Sequence, residues 1–341
     1  MDEAEELDFI DGRNFHVDRG DEEQVGDEDN DSALGDDRYT ITTSIASSVK
    51  DFVHENGRRY HAFEDDAYFL PNDEIEAARL DLQHHLWKVT FDGTFGRVPI
   101  TEKIKSVLDV GTGTGIWAME LAEAYPHLEV IGTDLSPIQP DFVPPNCRFI
   151  VDNAEHDWAF DRKFDYIHSR MLTLGMHDWP RFFEQAWDHL EPGGWLETKE
   201  TQFPPRRADG EPEKASELVK WGEYVYSAAA NAGIDARASQ KFTDQLKAQG
   251  FVNVERMDVQ WPLTPWAKGK KNKLLGRLNF QNTLDAIPGI GMGLFTRRLG
   301  WTKEDVDRNT EAVLAEVKDK SNHFYYPMCL HRAQKPESAT A

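Results

Sequence analysis

The run Val107-Leu-Asp-Val-Gly-Thr-Gly-Thr-Gly115 has the composition of a backbone cradle for a ligand. Glycine turns tightly and lets a ligand approach the main chain, and a helix starting behind the turn offers unpaired N–H groups. The dinucleotide fingerprint spaces its glycines G-x-G-x-x-G and receives a pyrophosphate. Here Gly111, Gly113 and Gly115 run G-x-G-x-G, led by Asp109. A carboxylate beside the loop disfavours a pyrophosphate. It favours a cationic group, such as an α-amino group or a sulfonium.

Further acids and amides recur where apolar runs end. Asp134 closes Val130-Ile-Gly-Thr-Asp, 19 residues after Gly115, and a carboxylate there can accept both hydroxyls of a ribose. Leu135 follows in the same turn. Asp152 and Asn153 end Phe149-Ile-Val and can hydrogen-bond an adenine amino group, although Asp-Asn alone is ordinary turn chemistry. Phe164-Asp-Tyr-Ile-His168-Ser169-Arg170-Met171 also runs out into polar residues. His168, and His177 in Gly175-Met-His-Asp-Trp179, are candidate general bases. A structural or surface role is the commoner one for each, as for His84 and His85. Trp117, Trp179 and Trp195 could line a pocket, but tryptophan more often packs a core. No His-x-x-x-His or carboxylate pair stands at metal-ligand spacing, so no metal is expected.

Such residues need a scaffold that gathers strand ends. Strands are predicted over Ser106–Val110, Glu129–Thr133, Cys147–Val151, Phe164–His168 and Trp195–Thr198, with helices over Ile116–Ala124 and Pro180–Leu190. That alternation predicts right-handed crossovers and a parallel sheet, which binds ligands at the carboxyl ends of its strands. Asn56-Gly57 reads as a turn. Leu70-Pro-Asn-Asp-Glu74 predicts a helix start capped by Asn72 or Asp73. The helix continues to Trp87 and would place Ile75, Ala78, Leu82 and Leu86 on one face. Beyond the core come helices at about 213–231 and 238–249, a strand over Val252–Gln260 and a helical stretch at about 268–299. Thr302, with Asp305 three residues on, opens another helix by a capping box. A last strand spans His323–His331. The expected domains are a disordered acidic tail (1–45), a helical cap (46–100), the core (101–200), its C-terminal half (201–333) and a disordered end (334–341).

The net charge is −23, and residues 1–37 hold 16 acids against two bases, so −14 lies there and −9 elsewhere. Such a segment buries too little apolar surface to repay ordering. It serves either as a solubilising tail or as a docking segment for a basic partner. A mildly acidic body excludes direct nucleic-acid binding through a broad basic face. Two distant cysteines, Cys147 and Cys329, build neither a disulfide framework nor a Cys zinc site and fit a reducing compartment. No run of 18 apolar residues exists, so no membrane span is expected. The acidic start is unlike a signal peptide. A cytoplasmic and/or nuclear location follows as the expectation.

Val107–Gly115, Asp134, Asp152-Asn153 and Leu190-Glu-Pro-Gly-Gly-Trp195 together resemble the motifs of class I S-adenosylmethionine (SAM)-dependent methyltransferases. A narrower resemblance, to fungal LaeA-like methyltransferases, rests on Asn56–His61, Tyr68–Glu74, Arg79–His85, Gly113–Trp117, Asp165–Met171 and Pro192–Glu197. It spans about residues 55–330. The resemblance implies a Rossmann-like α/β fold: a seven-stranded, mostly parallel sheet with helices on both faces and the last strand antiparallel. It implies that the helix over 73–87 packs over the cofactor as a lid. It places Gly111, Gly113, Asp134, Asp152 and Asn153 against SAM, with Asp109, Leu135, Tyr68 and Ser169 as further contacts. The family includes biosynthetic enzymes and regulators of secondary metabolism and development, some acting with velvet-type, zinc-finger or second methyltransferase proteins. The acceptor, protein or small molecule, stays open. One rival reading is a regulatory subunit that binds SAM and acts through partners. The other, a dinucleotide-dependent oxidoreductase, is disfavoured by the glycine spacing.

Overall fold

A computed structural model describes residues 52–61, 68–208 and 216–337. The acidic segment 1–45 lies outside them. The chain opens with a hairpin, β1 (Val53–Glu55) and β2 (Arg58–Tyr60). Asn56 (φ 52°) and Gly57 (φ 80°) form its turn, as the Asn-Gly pair leads one to expect. Arg58 then grips Asp73 through two bonds of 2.6 and 2.9 Å. Of the two predicted caps, Asp73 is the one that starts α1 (Glu74–Thr90), accepting from Glu76 N at 3.1 Å.

The face that α1 buries is not the predicted one. Ile75 is 57 % exposed, whereas Glu76, Arg79, Gln83, His84, Leu86 and Trp87 are buried. The reason is electrostatic compensation: Glu76 and Arg79 pair with each other at 2.6 and 2.8 Å, and Arg79 donates to Asn282 at 2.9 Å. A polar helix face can be buried when its charges are matched.

Strand–helix alternation follows. β3 (Ser106–Val110), α2 (Ile116–Ala124), β4 (Glu129–Asp134), β5 (Cys147–Val151), β6 (Phe164–Arg170), α3 (Trp179–His189) and β7 (Leu190–Thr201) build a parallel sheet in the order β5-β4-β3-β6-β7. After the two-residue β8 (Arg206–Arg207) come α4 (Glu217–Asn231), a 3₁₀ turn (Ala238–Gln240), α5 (Phe242–Gln249), β9 (Val252–Pro262), α6 (Lys270–Leu299), α7 (Lys303–Lys318) and β10 (Phe324–Gln334). β10 runs antiparallel to β7, β8 and β9. The fold is the expected Rossmann-like sheet, and the short β8 makes eight strands rather than seven.

Side chains alternate across the sheet. Val107, Val130 and Tyr166 pack on α2 through Trp117 and Leu121. Leu108, Ile131 and Ile167 pack on α3 and α5 through Phe182, Phe183 and Phe242. A third cluster joins α4, α6, α7, β9 and β10. α7 begins at Thr302 with the predicted capping box to Asp305.

The last strand is longer than the predicted His323–His331. β10 continues to Gln334, paired with Trp195. Buried Lys335 donates to Trp187 O at 2.6 Å and Leu190 O at 2.9 Å. Among the described residues, no helix is long and apolar enough to cross a membrane.

Candidate active site

The loop between β3 and α2 turns through Gly111 (φ +68°) and Gly113 (φ +61°), a conformation that strains other residues. A Cβ on Gly111 would lie 2.3 Å from Leu172 Cδ2. At the end of the neighbouring β4, Asp134 fixes this loop. Its Oδ2 accepts from Gly113 N at 2.8 Å and its Oδ1 from Ser136 N at 2.9 Å. Burial outweighs these bonds and pushes the Asp134 carboxyl up to about 6.

A cavity of about 180 Å³ opens over the strand ends. Gly111, Gly113, Asp134, Leu135, Asp152 and Asn153 line one end of it. Helix α1 forms part of the wall through Leu80 and Gln83. It is tied to the loop by Thr114 Oγ1, which donates to Asp81 Oδ1 at 2.6 Å. A cradle without side chains, a carboxylate beside it and a carboxylate–amide pair one strand further suit an adenosyl group carrying a ribose. Because Asp134 accepts hydroxyls best when ionised, affinity for such a ligand should fall as pH drops below about 6. Titration calorimetry at pH 7.5 and 5.5 checks this, and equal affinities would refute it.

Four sequence-based assignments do not reach the cavity. Asp109 points toward α2, where its Oδ2 accepts from Thr112 Oγ1 at 2.6 Å and its Oδ1 pairs with His168 Nδ1 at 2.7 Å. It steadies the loop from beneath. His168 is 1 % exposed and stacks on Trp117 with ring centroids 3.7 Å apart. Its Nε2 lies 3.0 Å from Lys199 Nζ. An ammonium only donates, so Nε2 accepts and Nδ1 carries the proton toward Asp109. Burial and the Lys199 charge hold the ring well below its usual pKa. It is a neutral structural link, not a general base. Ser169 points to the opposite sheet face and is fully buried. His177 is a surface residue paired with Glu155 at 2.7 Å.

The row continues through Lys199 to Glu197 Oε1 at 2.8 Å. Asp109, His168 and Glu197 are register partners on β3, β6 and β7. A polar ladder thus runs under the site on its α2 side. Trp117 and Trp179 are core residues, and Trp261 is the tryptophan that lines the cavity.

The other end of the cavity is aromatic and apolar: Phe203, Trp261, Ile290, Tyr326 and Met328, with Tyr68 and the Glu76–Arg79 pair. Asn279 fixes this wall by donating to Trp261 O and Pro262 O at 3.2 and 3.1 Å. Burial raises the Tyr68 and Tyr326 hydroxyls above the usual tyrosine range. Behind it, Glu200 accepts from Leu172 N, Thr173 N and Thr173 Oγ1 at 3.1, 3.0 and 2.6 Å. Burial still pushes its carboxyl up to about 7. Glu200 therefore holds the loop that follows β6. Sequence reasoning missed Glu200, Arg79 and Lys199. The one signal was three charged residues at alternate or adjacent positions of a strand, Glu197, Lys199 and Glu200.

A family model described as a methyltransferase domain matches residues 83–256. The methyltransferase pytC of Aspergillus terreus is 34 % identical, over 88 % of this chain and 93 % of its own length. The secondary metabolism regulator laeA of Aspergillus flavus is 33 % identical, over 86 % of this chain and 80 % of its own. The protein-methionine methyltransferase laeA of Emericella nidulans is 32 % identical, over 85 % and 78 %. SAM, when bound, supplies a methyl group on a positively charged sulfur, and the carboxylate, amide and glycine cradle that line the cavity would suit it. The chain belongs to the methyltransferase-domain family and is a SAM-dependent methyltransferase of the LaeA-like type.

Proposed function

We propose that the acceptor occupies the aromatic end of the cavity and offers a nucleophile from which the protein removes no proton. The observation that carries this reading is the titratable inventory of the wall. Among the described residues, its carboxylates are Glu76, Asp134 and Asp152, and neither histidine nor lysine lines it. Glu76 is held by Arg79 through two bonds, while Asp134 and Asp152 stand at the cofactor end. Tyr68 and Tyr326 stay protonated and can donate.

An in-line displacement then needs only positioning and exclusion of water. The acceptor atom forms a bond to the methyl carbon, the carbon–sulfur bond breaks, and its electron pair goes to sulfur. No proton moves if the acceptor is a thioether sulfur or an already ionised oxygen. The thioether case is supported by the likeness to a protein-methionine methyltransferase. Likeness to secondary metabolism regulators supports a role in controlling fungal secondary metabolism. The family resemblance adds a velvet-type, zinc-finger or second methyltransferase protein as the partner to look for. That role fits a cytoplasmic and/or nuclear location.

The test is transfer from methyl-labelled SAM into native-source lysate, split into protein and small-molecule fractions, with the labelled atom identified. Label on sulfur or on an acidic hydroxyl is expected. Label on an ordinary alcohol, whose proton a base must take, would overturn the reading. His177→Ala should leave the rate within about twofold, since a general base contributes about 100-fold or more.

A further inference from the structure

The wall beside the glycine loop carries a cation without a counter-ion. Arg170 ends β6, one residue past Ser169, which pairs with Val110, so it stands next to Gly111 at the cavity. Its Nη1 bonds His84 Nδ1 at 3.1 Å. Among the described residues no carboxylate forms an ion pair with it; Asp109, Asp81 and Glu120 act only from further away. His84 does not neutralise it. Its Nδ1 accepts from the guanidinium, so the ring hydrogen sits on Nε2, 3.1 Å from Glu120 Oε2. Burial and the Arg170 charge push that ring down to about 3, so it is uncharged. Glu120 is itself held by Lys88 at 2.8 Å. Burial lowers Arg170 only to about 10, so it is charged at neutral pH.

A second unsatisfied group shares the wall. Gln83, adjacent to His84 on α1, is 4 % exposed and lines the cavity. Among the described residues its carboxamide has no hydrogen-bond partner. A half-buried cation without a carboxylate partner is poorly compensated for the water it has lost, and a guanidinium matches a carboxylate with two parallel bonds.

Strand order says which carboxylate. The sheet runs β5-β4-β3-β6. Asp152-Asn153 follow β5, Asp134 ends β4, the glycine loop follows β3, and Arg170 ends β6. An adenosyl ligand laid across these ends with its base at β5 and its ribose at β4 presents its amino-acid end to β6. Resting on the SAM assignment, we propose that Arg170 seats the α-carboxylate of the cofactor, with the Gln83 carboxamide receiving its α-ammonium.

The test is titration calorimetry of the full chain with two probes: S-adenosylhomocysteine and S-adenosyl-3-thiopropylamine, which lacks only the carboxylate. The wild type should prefer the first by about 30-fold or more, as charge-assisted bonds of this kind allow. Arg170→Gln should remove that preference by weakening the first probe alone. Arg170→Lys, a point charge without the fork, should keep part of it. Equal weakening of both probes would show that Arg170 acts only through the fold, and an unchanged preference would show that it does not meet the carboxylate. Either result overturns the proposal and leaves the cofactor assignment intact. A wild type that binds neither probe overturns both.

Discussion

Asp134→Ala should raise the dissociation constant for SAM or S-adenosylhomocysteine by about 100-fold or more. The carboxylate ends β4 on the cavity wall. Each hydrogen bond to a charged group contributes about 1.5–3 kcal/mol, and two hydroxyls double that. The same residue accepts from Gly113 N and Ser136 N, so its loss also loosens the glycine loop. Stability should change much less than affinity. Alanine loses two backbone contacts, but it also removes a half-buried carboxylate whose raised pKa signals unfavourable desolvation. Asp134→Asn, which keeps one acceptor oxygen, should fall between. Unchanged calorimetric affinity in Asp134→Ala would remove this residue from the cofactor site.

Lys199→Met is the strongest expected perturbation of the fold. Lys199 and Glu197 are 1 % and 0 % exposed. Besides Glu197, Lys199 Nζ contacts Phe95 O at 2.7 Å and His168 Nε2 at 3.0 Å. Removing one partner of a buried pair leaves the other charge uncompensated, at a cost of about 3–5 kcal/mol. Glu197 would keep only its bonds from Arg97 N and Val98 N, at 2.7 and 3.1 Å, and the long one from Tyr166. Urea denaturation gives the number. Glu197→Gln with Lys199→Met should recover part of the loss, because no bare charge remains. A single-variant loss below about 1 kcal/mol would mean that water reaches the ladder.

Local chemistry was the readable part of this chain. The glycine loop, Asp134, the strands at Ser106–Val110 and Cys147–Val151 and the Thr302 capping box depend on neighbours within a few residues, and they stand where spacing put them. Pairing across sequence was not readable. The α1 face was misassigned because apolar periodicity assumes that burial follows hydrophobicity. Here Arg79 meets Asn282, 203 positions away. Leu196–Thr201 of β7 carries three charged residues, Glu197, Lys199 and Glu200, yet is buried throughout. The partner that makes Glu197 tolerable includes the backbone at Arg97 and Val98, 100 and 99 positions upstream. His168 attracted a catalytic role by its place at a strand end, and the pleat sent it to the α2 side instead.

The two ends of the cavity have different ancestry within the chain. On the assignments proposed above, most of the donor grip comes from the stretch 107–154, with Gln83 and Arg170 outside it, whereas much of the acceptor wall comes from residues past 252, on β9, α6 and β10. An exchange of 252–334 between relatives would therefore replace much of the acceptor wall while leaving the residues of 107–154 in place. One component resists that modularity. Helix α1 holds the donor loop through Asp81 and the acceptor wall through Arg79, so a transplanted segment must bring its matching α1 with it.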